Sequence, residues 1–187
     1  QYVWAYSNIE LDTFYKVASF WGGQKGSLLF WTLLLTTYTT VVHFQNRKKN
    51  LRVVPYAMAV LLTIIIFFLF LVNFSTNPFE RIPLPPEDGR GLNPLLQNYW
   101  MVIHPPTLYL GYVGFTVPFA FAVAALISKN LDDGWIRLTR KWTLISWFFL
   151  CMGNLFGASW AYVELGWGRY WAWDPVENAA FMPLLIA

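Results

Sequence analysis

The chain has 187 residues, of which 57% are apolar, 20% aromatic and 12% charged, with a formal net charge of +3. This composition excludes a disordered segment and a nucleic-acid-binding arm, and a single cysteine, Cys151, excludes an intrachain disulfide and a CxxC redox pair. Soluble domains carry about 25% charged residues, so half that share indicates that lipid solvates much of this chain.

Four uncharged apolar runs follow one another along the chain. They cover residues 27–44, 53–74, 108–127 and 142–162. About 20 helical residues cross a hydrocarbon core of about 30 Å, and a helix satisfies its own backbone hydrogen bonds there. The sequence therefore predicts an all-α fold, a polytopic membrane helix bundle with four complete transmembrane helices, forming a single membrane domain over residues 1–187.

Both ends of the chain predict a piece of a longer architecture. A fifth apolar stretch begins after Asn178 and stops at Ala187, and the first residue is Gln1 rather than methionine. No signal-peptide pattern precedes the first span. We therefore expect a truncated fifth helix, in a segment of a longer protein or in the product of a split gene.

The basic residues predict the orientation. Most of them lie in the first-to-second and third-to-fourth connections: Arg47, Lys48, Lys49, Arg52, Lys129, Arg137, Arg140 and Lys141. By the positive-inside rule these two loops face the cytoplasm or matrix. The alternation of spans then places His104 and the tryptophan-rich loop 163–178 together on the outer face, and His43 on the opposite face.

The spans themselves contain small and uncharged residues. The absence of Asp, Glu, Lys and Arg inside them disfavours transport by a charge relay. Small residues at helical spacing predict close helix packing; they are Gly111, Gly114, Ala120, Ala124, Gly153 and Gly157. Asn154 is polar within the fourth span, and we expect it to make an interhelical hydrogen bond rather than a substrate contact.

The outer loop holds the densest aromatic cluster. Five aromatic or cationic side chains fall within seven positions: Trp167, Arg169, Tyr170, Trp171 and Trp173. An interfacial belt explains one tryptophan, but three with glycine spacing offer close approach and a wide stacking area to a large planar ligand. Arg169 could pair with a carboxylate of that ligand, and contact with anionic lipid headgroups explains it equally well.

The cluster ends in a helix-start pattern. Asp174, Pro175 and Glu177 match an N-cap, a first-turn proline and the returning partner of a capping box. Capping alone explains both carboxylates. The alternative is that they orient a ligand or a partner chain.

His104 is the second candidate on the outer face. The following Pro105 and Pro106 predict that it is extended and that the third helix starts after it, which holds the imidazole at the membrane surface. A lone histidine is commonly structural. Imidazole is, however, a common axial ligand of haem iron, and indole faces beside an arginine suit a porphyrin with propionates.

Two strings carry a family resemblance. They are HPPTLYLGYVGFTVPFAFAVAAL, from His104 to Leu126, and WGRYWAWDPVENAAFMPLL, from Trp167 to Leu185. They resemble the upstream histidine segment and the tryptophan-rich WWD domain of the CcmF-type haem-lyase family of cytochrome c maturation. Residues 14–31 and 91–98 resemble the same family, so the similarity runs in order along nearly the whole chain. Arg169 and Leu184 depart from it, because the family more often has Gly and Trp there.

The resemblance implies that this chain supplies half of an external haem site on the outer face, and that it holds no complete site for the resident haem b of the family. It implies that His104 is an axial ligand of the haem iron. It also implies that the loop forms a haem platform, with these residues as its contacts: Trp167, Arg169, Trp171, Trp173 and Asp174. A second axial histidine would lie outside this sequence.

The resemblance also implies an activity, cytochrome c haem lyase. Haem would arrive from a membrane-tethered haem chaperone and join the thiols of a CxxCH motif in apocytochrome c, with the help of other maturation subunits. The site would face the periplasm of a bacterial inner membrane or the intermembrane space of a mitochondrion. Positioning would be the mechanism, lipid would surround the helices, and Cys151 would be an inert thiol.

Three other functions fit the same residues. A haem carrier or exporter would bind the cofactor without forming a bond. A structural membrane subunit would dock a partner through the aromatic loop. A nitrite-reductase-specific paralogue of the same family is the third.

Overall fold

The computed structural model describes residues 1–47, 52–84, 86–166 and 169–187, and these contain helices and no strand. The helices are α1 (Tyr2–Tyr6), α2 (Thr13–Ala18), α3 (Gln24–Asn46), α4 (Val54–Phe70), α5 (Tyr99–Gly114), α6 (Thr116–Ile127), α7 (Gly134–Glu164) and α8 (Pro175–Ile186). A π-helical turn, Leu71–Ser75, continues α4, and a 3-10 turn covers Pro94–Leu96. The predicted all-α fold is confirmed.

Four helical segments of the described chain are long and apolar enough to cross a membrane. They are α3, α4 with its π-helical turn, α5 with α6, and α7. Large apolar side chains are exposed on their outer surfaces; Ile66, for example, is 66% exposed. Contiguous apolar surface of this kind is stable in lipid rather than in water. The four predicted spans are confirmed, and the chain is an integral membrane protein.

The third span starts earlier than the sequence predicts. It runs from Tyr99 to Ile127 and carries His104 inside α5, so the predicted extended conformation of His104 is wrong. Asn98 caps the helix, because its side-chain oxygen accepts a hydrogen bond from the Trp100 N–H at 2.8 Å. Pro105 and Pro106 have no N–H, so the carbonyls of Met101 and Val102 lose their helical hydrogen bonds. Membrane helices tolerate this loss where a neighbouring helix packs against them.

The same span is interrupted at Phe115, between the end of α5 and the start of α6. Pro118 lacks the N–H that would bond the carbonyl of Gly114, which explains the break. The fourth span also starts earlier than predicted, at Gly134, because the basic residues Arg137, Arg140 and Lys141 form the first turns of α7 rather than a loop.

Small residues bring α5 and α7 into the closest contact of the bundle. Gly111 faces the backbone of Leu150, and Gly114 faces Ser146. A Cβ added at Gly153 would lie 2.6 Å from Leu108 Cα, so only glycine fits there. The predicted packing role of these glycines is confirmed. A shared apolar core of α3, α4, α5 and α6 lies beside this contact.

The prediction for Asn154 is wrong. Its amide donates to the Leu150 carbonyl at 2.8 Å, a bond within α7 rather than between helices. The carbonyl one turn back lies within easy reach of a helical Asn side chain.

The connections assemble at two ends of the bundle. At one end, which we call the site end, the N-terminal segment contacts the loop before α5: Lys25 pairs with Glu80 at 2.8 Å, and the Arg90 N–H donates to the Trp4 carbonyl at 2.7 Å. At the other end Arg52 and Asn130 line one small cavity. The predicted alternation of the loops is therefore confirmed, while Lys48 and Lys49 lie outside the described residues.

Candidate functional site

A cavity of about 150 Å³ lies at the site end between α5, the end of α7 and the start of α8. We call it the His104 cavity. Its lining comprises His104, Leu108, Asn154, Gly157, Ala158, Trp160, Ala161, Leu165, Trp171, Asp174, Val176, Glu177 and Ala180. The structure thus brings the predicted histidine together with Trp171 and Asp174 of the predicted aromatic loop.

His104 is oriented by the backbone of α7. Its Nδ1 lies 2.7 Å from the carbonyl oxygen of Gly153. A carbonyl only accepts hydrogen bonds, so Nδ1 carries the proton and donates it. The neutral imidazole then keeps its lone pair on Nε2, the nitrogen available to a metal.

Gly157 provides the space that the imidazole occupies. A Cβ added at this position would lie 2.6 Å from His104 Cε1 and 2.8 Å from Nδ1, closer than real atoms approach. Gly157 therefore leaves room for the His104 imidazole. Gly153, four residues earlier, allows the close approach of α5 and supplies the carbonyl that accepts the hydrogen bond from Nδ1. The sequence signal for this was the Gly153–Gly157 spacing, which predicted only helix packing.

Trp171 is the indole of the loop that lines the cavity. Its ring centroid lies 5.6 Å from that of Phe181 and 6.2 Å from that of Trp173, both in edge-on geometry. The Trp171 Nε1 atom is buried and has no hydrogen-bond partner among the described residues. A buried donor of this kind is a rare and costly feature in proteins.

Three described residues of the aromatic loop, Arg169, Tyr170 and Trp173, are not part of the cavity lining. Trp173 is exposed and has φ +60°, a left-handed conformation that is unusual for a bulky residue. Arg169 is exposed and makes an interaction within the chain. Tyr170 stacks on Tyr162 with centroids 4.4 Å apart. Trp167 lies outside the described residues.

Asp174 begins α8. Its carboxylate accepts a hydrogen bond from the Glu177 N–H at 2.7 Å, and Pro175 is the first helical residue. The predicted N-cap is confirmed. The reciprocal bond of a capping box is not formed, because Glu177 Oε2 accepts from the Ala172 N–H at 2.8 Å. Trp173 has a left-handed backbone conformation, and the Ala172 N–H rather than the Asp174 N–H donates to the Glu177 carboxylate.

Metal-ligating side chains do not cluster in the part of the chain that the structure describes. It contains no group of three or more His, Cys, Asp or Glu side chains able to hold a metal ion. His43 lies exposed near the end of α3, at the basic end of the bundle.

Fold and site together define a polytopic helical membrane protein in which a histidine imidazole and a tryptophan indole line one cavity. The family described as "Cytochrome C assembly protein" matches residues 21–187. The chain belongs to this family of cytochrome c maturation proteins.

Individual relatives agree. The chain is 48% identical over 186 residues to the cytochrome c-type biogenesis protein CcmF of Escherichia coli (strain K12), covering 99% of this chain and 29% of that protein. It is 47% identical to NrfE of Haemophilus influenzae, covering 100% and 29%, and 47% identical to CycK of Rhizobium meliloti, covering 98% and 27%. The chain thus spans less than a third of each relative. No solved structure matches it significantly.

Proposed function

We propose that this chain supplies one side of a haem-binding site used to attach haem covalently to apocytochrome c. The observation that carries the proposal is the His104 cavity, in which Nδ1 donates to the Gly153 carbonyl and Trp171 lines the same space. An imidazole anchored through Nδ1 presents Nε2 as an axial ligand. The relatives named for cytochrome c-type biogenesis support a role in cytochrome c maturation, of which this reaction is one step.

The described residues fit haem b in two respects. His104 would hold the iron, and the buried Trp171 N–H, which has no partner among the described residues, would be satisfied by a ligand oxygen. The volume of about 150 Å³ is smaller than a typical small-molecule site, so the cavity would take only part of the macrocycle. We propose that further sequence or another chain completes the site, and that Trp167, Arg169, Trp173 and Asp174 contribute contacts at its rim.

Bound haem would supply two vinyl groups for thioether formation. Each thiol of the CxxCH motif would add across one vinyl, so that a C–S bond forms and the proton goes to the neighbouring carbon without net oxidation. The contribution of this chain would be orientation, which can lower a barrier by roughly 7–11 kcal/mol. No side chain of the cavity is required as an acid or base, and Cys151 is not part of its lining.

The proposed partners follow from the same reaction. A membrane-tethered haem chaperone would deliver haem, apocytochrome c would receive it, and other maturation subunits would complete the complex. The site end would face the periplasm or the mitochondrial intermembrane space, opposite the basic loops.

The two histidines allow a matched test. The protein is purified from its native membrane as His104→Ala and as His43→Ala, and the Soret absorbance per protein is compared. We expect His104→Ala to lose most of its haem and its mature cytochrome c, while His43→Ala keeps both. Equal Soret absorbance in wild type and His104→Ala would contradict the proposal and favour a structural subunit.

The haem-carrier alternative needs one further readout. Cells that lack the protein should accumulate haem on the chaperone and contain no covalent cytochrome c if the protein acts at the bond-forming step. Continued covalent attachment in those cells would exclude the lyase function.

A further inference from the structure

An open groove of about 390 Å³ lies at the site end between α2 and the first turns of α5. We call it the α2–α5 groove. Its lining comprises Thr13, Phe14, Val17, Trp21, Val102, Ile103, Pro106 and Thr107. None of these residues lines the His104 cavity. Phe14 docks α2 onto the start of α5, with its ring stacked on Tyr99 at 6.3 Å and 12°.

The lining selects a neutral hydrocarbon occupant. All eight residues are uncharged and none is His, Cys or Met, so they offer neither an iron-binding side chain nor a cation to pair with an anion. The walls are formed by α2, α5 and the turn that carries Trp21, and none of them is a strand, so an extended peptide finds no strand edge to pair with.

The position of the groove beside a membrane span indicates that the hydrocarbon comes from a membrane lipid. The α5 wall belongs to the membrane span Tyr99–Ile127. On the α2 side, Phe14 is 43% exposed and Val17 is 57% exposed, so an apolar surface continues out of the groove. A short helix with one apolar face beside a span is typical of the lipid headgroup boundary.

One buried polar atom of the lining has no hydrogen-bond partner among the described residues. The indole Nε1 of Trp21 is buried without a hydrogen-bond acceptor, while its ring packs against Phe30 at 5.7 Å. A phospholipid carries an ester carbonyl directly beside its hydrocarbon chain. That combination matches an apolar groove with one buried donor.

We propose that the α2–α5 groove binds one acyl chain of a membrane phospholipid, and that the ester carbonyl of this chain accepts a hydrogen bond from the Trp21 indole. The bound lipid fills the space between α2 and α5 and fixes α2 against the helix that carries His104. The proposal is independent of haem binding.

Ester-linked and ether-linked phospholipids provide the test, because only the former have the carbonyl. The full chain is reconstituted in vesicles containing a phosphatidylcholine with a diazirine in its acyl or alkyl chain, and crosslinked peptides are mapped by mass spectrometry. We expect the ester probe to label residues 13–21 and 102–107 about fivefold more than the ether probe, a ratio that corresponds to the net free energy of one hydrogen bond. Trp21→Phe should remove this difference, and the control Trp147→Phe should keep it.

A second variant fills the groove. Thr107→Trp should abolish labelling of this region by both probes, with helical content checked by circular dichroism. Equal ester and ether labelling of the wild type would overturn the carbonyl contact. Persistent labelling of a folded Thr107→Trp variant, labelling spread evenly over exposed positions such as Ile66, or crosslinking of a maturation partner at the groove would overturn the lipid site.

Discussion

The position of His104 depends on the absence of a side chain at Gly157. An alanine Cβ there would lie 2.6 Å from Cε1, so the imidazole must move and lose its bond to the Gly153 carbonyl. Alanine favours a helix over glycine by about 1 kcal/mol, so α7 itself should remain stable. We expect Gly157→Ala to weaken haem binding about tenfold, as the loss of a ligand-orienting partner does, measured by haem titration in detergent.

Gly166 supplies the control for this variant. A Cβ at Gly166 would meet no described atom within 4 Å. Gly166→Ala should therefore bind haem as the wild type does. Unchanged haem affinity in Gly157→Ala would show that the imidazole orientation is irrelevant to binding.

The ion pair of Lys25 and Glu80 predicts a pH response at the site end. The hydrogen bond and the charge of Lys25 hold the pKa of the Glu80 carboxyl below its ordinary value. A lowered pKa means that the pair stabilises the fold above the ordinary Glu pKa of about 4.3 and that this contribution is lost as pH falls through the lowered value. Lys25→Met should raise the Glu80 pKa toward 4.3, measured by NMR titration of ¹³C-labelled glutamate.

Lys16 provides the comparison, because it donates to the Ile9 carbonyl and not to Glu80. Lys16→Met should leave the Glu80 titration where it is in the wild type. An unchanged Glu80 pKa in Lys25→Met would refute the predicted coupling.

The start of α8 separates the two roles left open for Asp174. Its carboxylate accepts from the Glu177 N–H at 2.7 Å, and losing an N-cap costs about 1 kcal/mol. Asp174→Ala should therefore raise hydrogen exchange of the first turn of α8, while Asp174→Asn, which keeps an acceptor, should not. If Asp174→Asn also keeps bound haem, capping accounts for the residue; if it loses haem, the charge contacts the ligand. Equal exchange in Asp174→Ala and wild type would contradict the capping role.

The helices themselves show what a sequence can and cannot reveal. Hydropathy predicts the four spans because lipid requires long uncharged segments. The start of α5 was mispredicted because the rule for proline is local, whereas Asn98 caps this helix and also donates to Glu164, 66 residues away, at 2.6 Å. Packing against α7 outweighs the local preference of the proline pair.

The sequence also predicts one part of the candidate site, the end of the bundle at which it lies. The alternation of spans placed His104 and the aromatic loop at one end, and Trp171 indeed shares the cavity with His104. The hydrogen bond of His104 to the Gly153 carbonyl joins residues 49 apart. Such a contact depends on which helices pair and in what register, which periodicity does not contain.

The whole molecule carries one prediction about orientation. Cys151 is replaced by serine, and single cysteines are introduced as Phe79→Cys and Leu131→Cys, at positions that are 72% and 69% exposed at opposite ends of the bundle. In intact cells, or in mitochondria from which the outer membrane has been removed, an impermeant maleimide should label Phe79→Cys and not Leu131→Cys, as the positive-inside rule requires. Labelling of Leu131→Cys alone would invert the bundle, and labelling of both would contradict the alternation of the loops.

The most direct test of His104 as an iron ligand is chemical rescue. His104→Gly leaves a cavity of imidazole size beside Gly157, so the purified protein should lack the wild-type Soret band and regain it when imidazole is added. His43→Gly should show the wild-type band with or without imidazole. A wild-type spectrum in His104→Gly without imidazole, or no recovery of the band in a folded His104→Gly protein at saturating imidazole, would contradict coordination by His104.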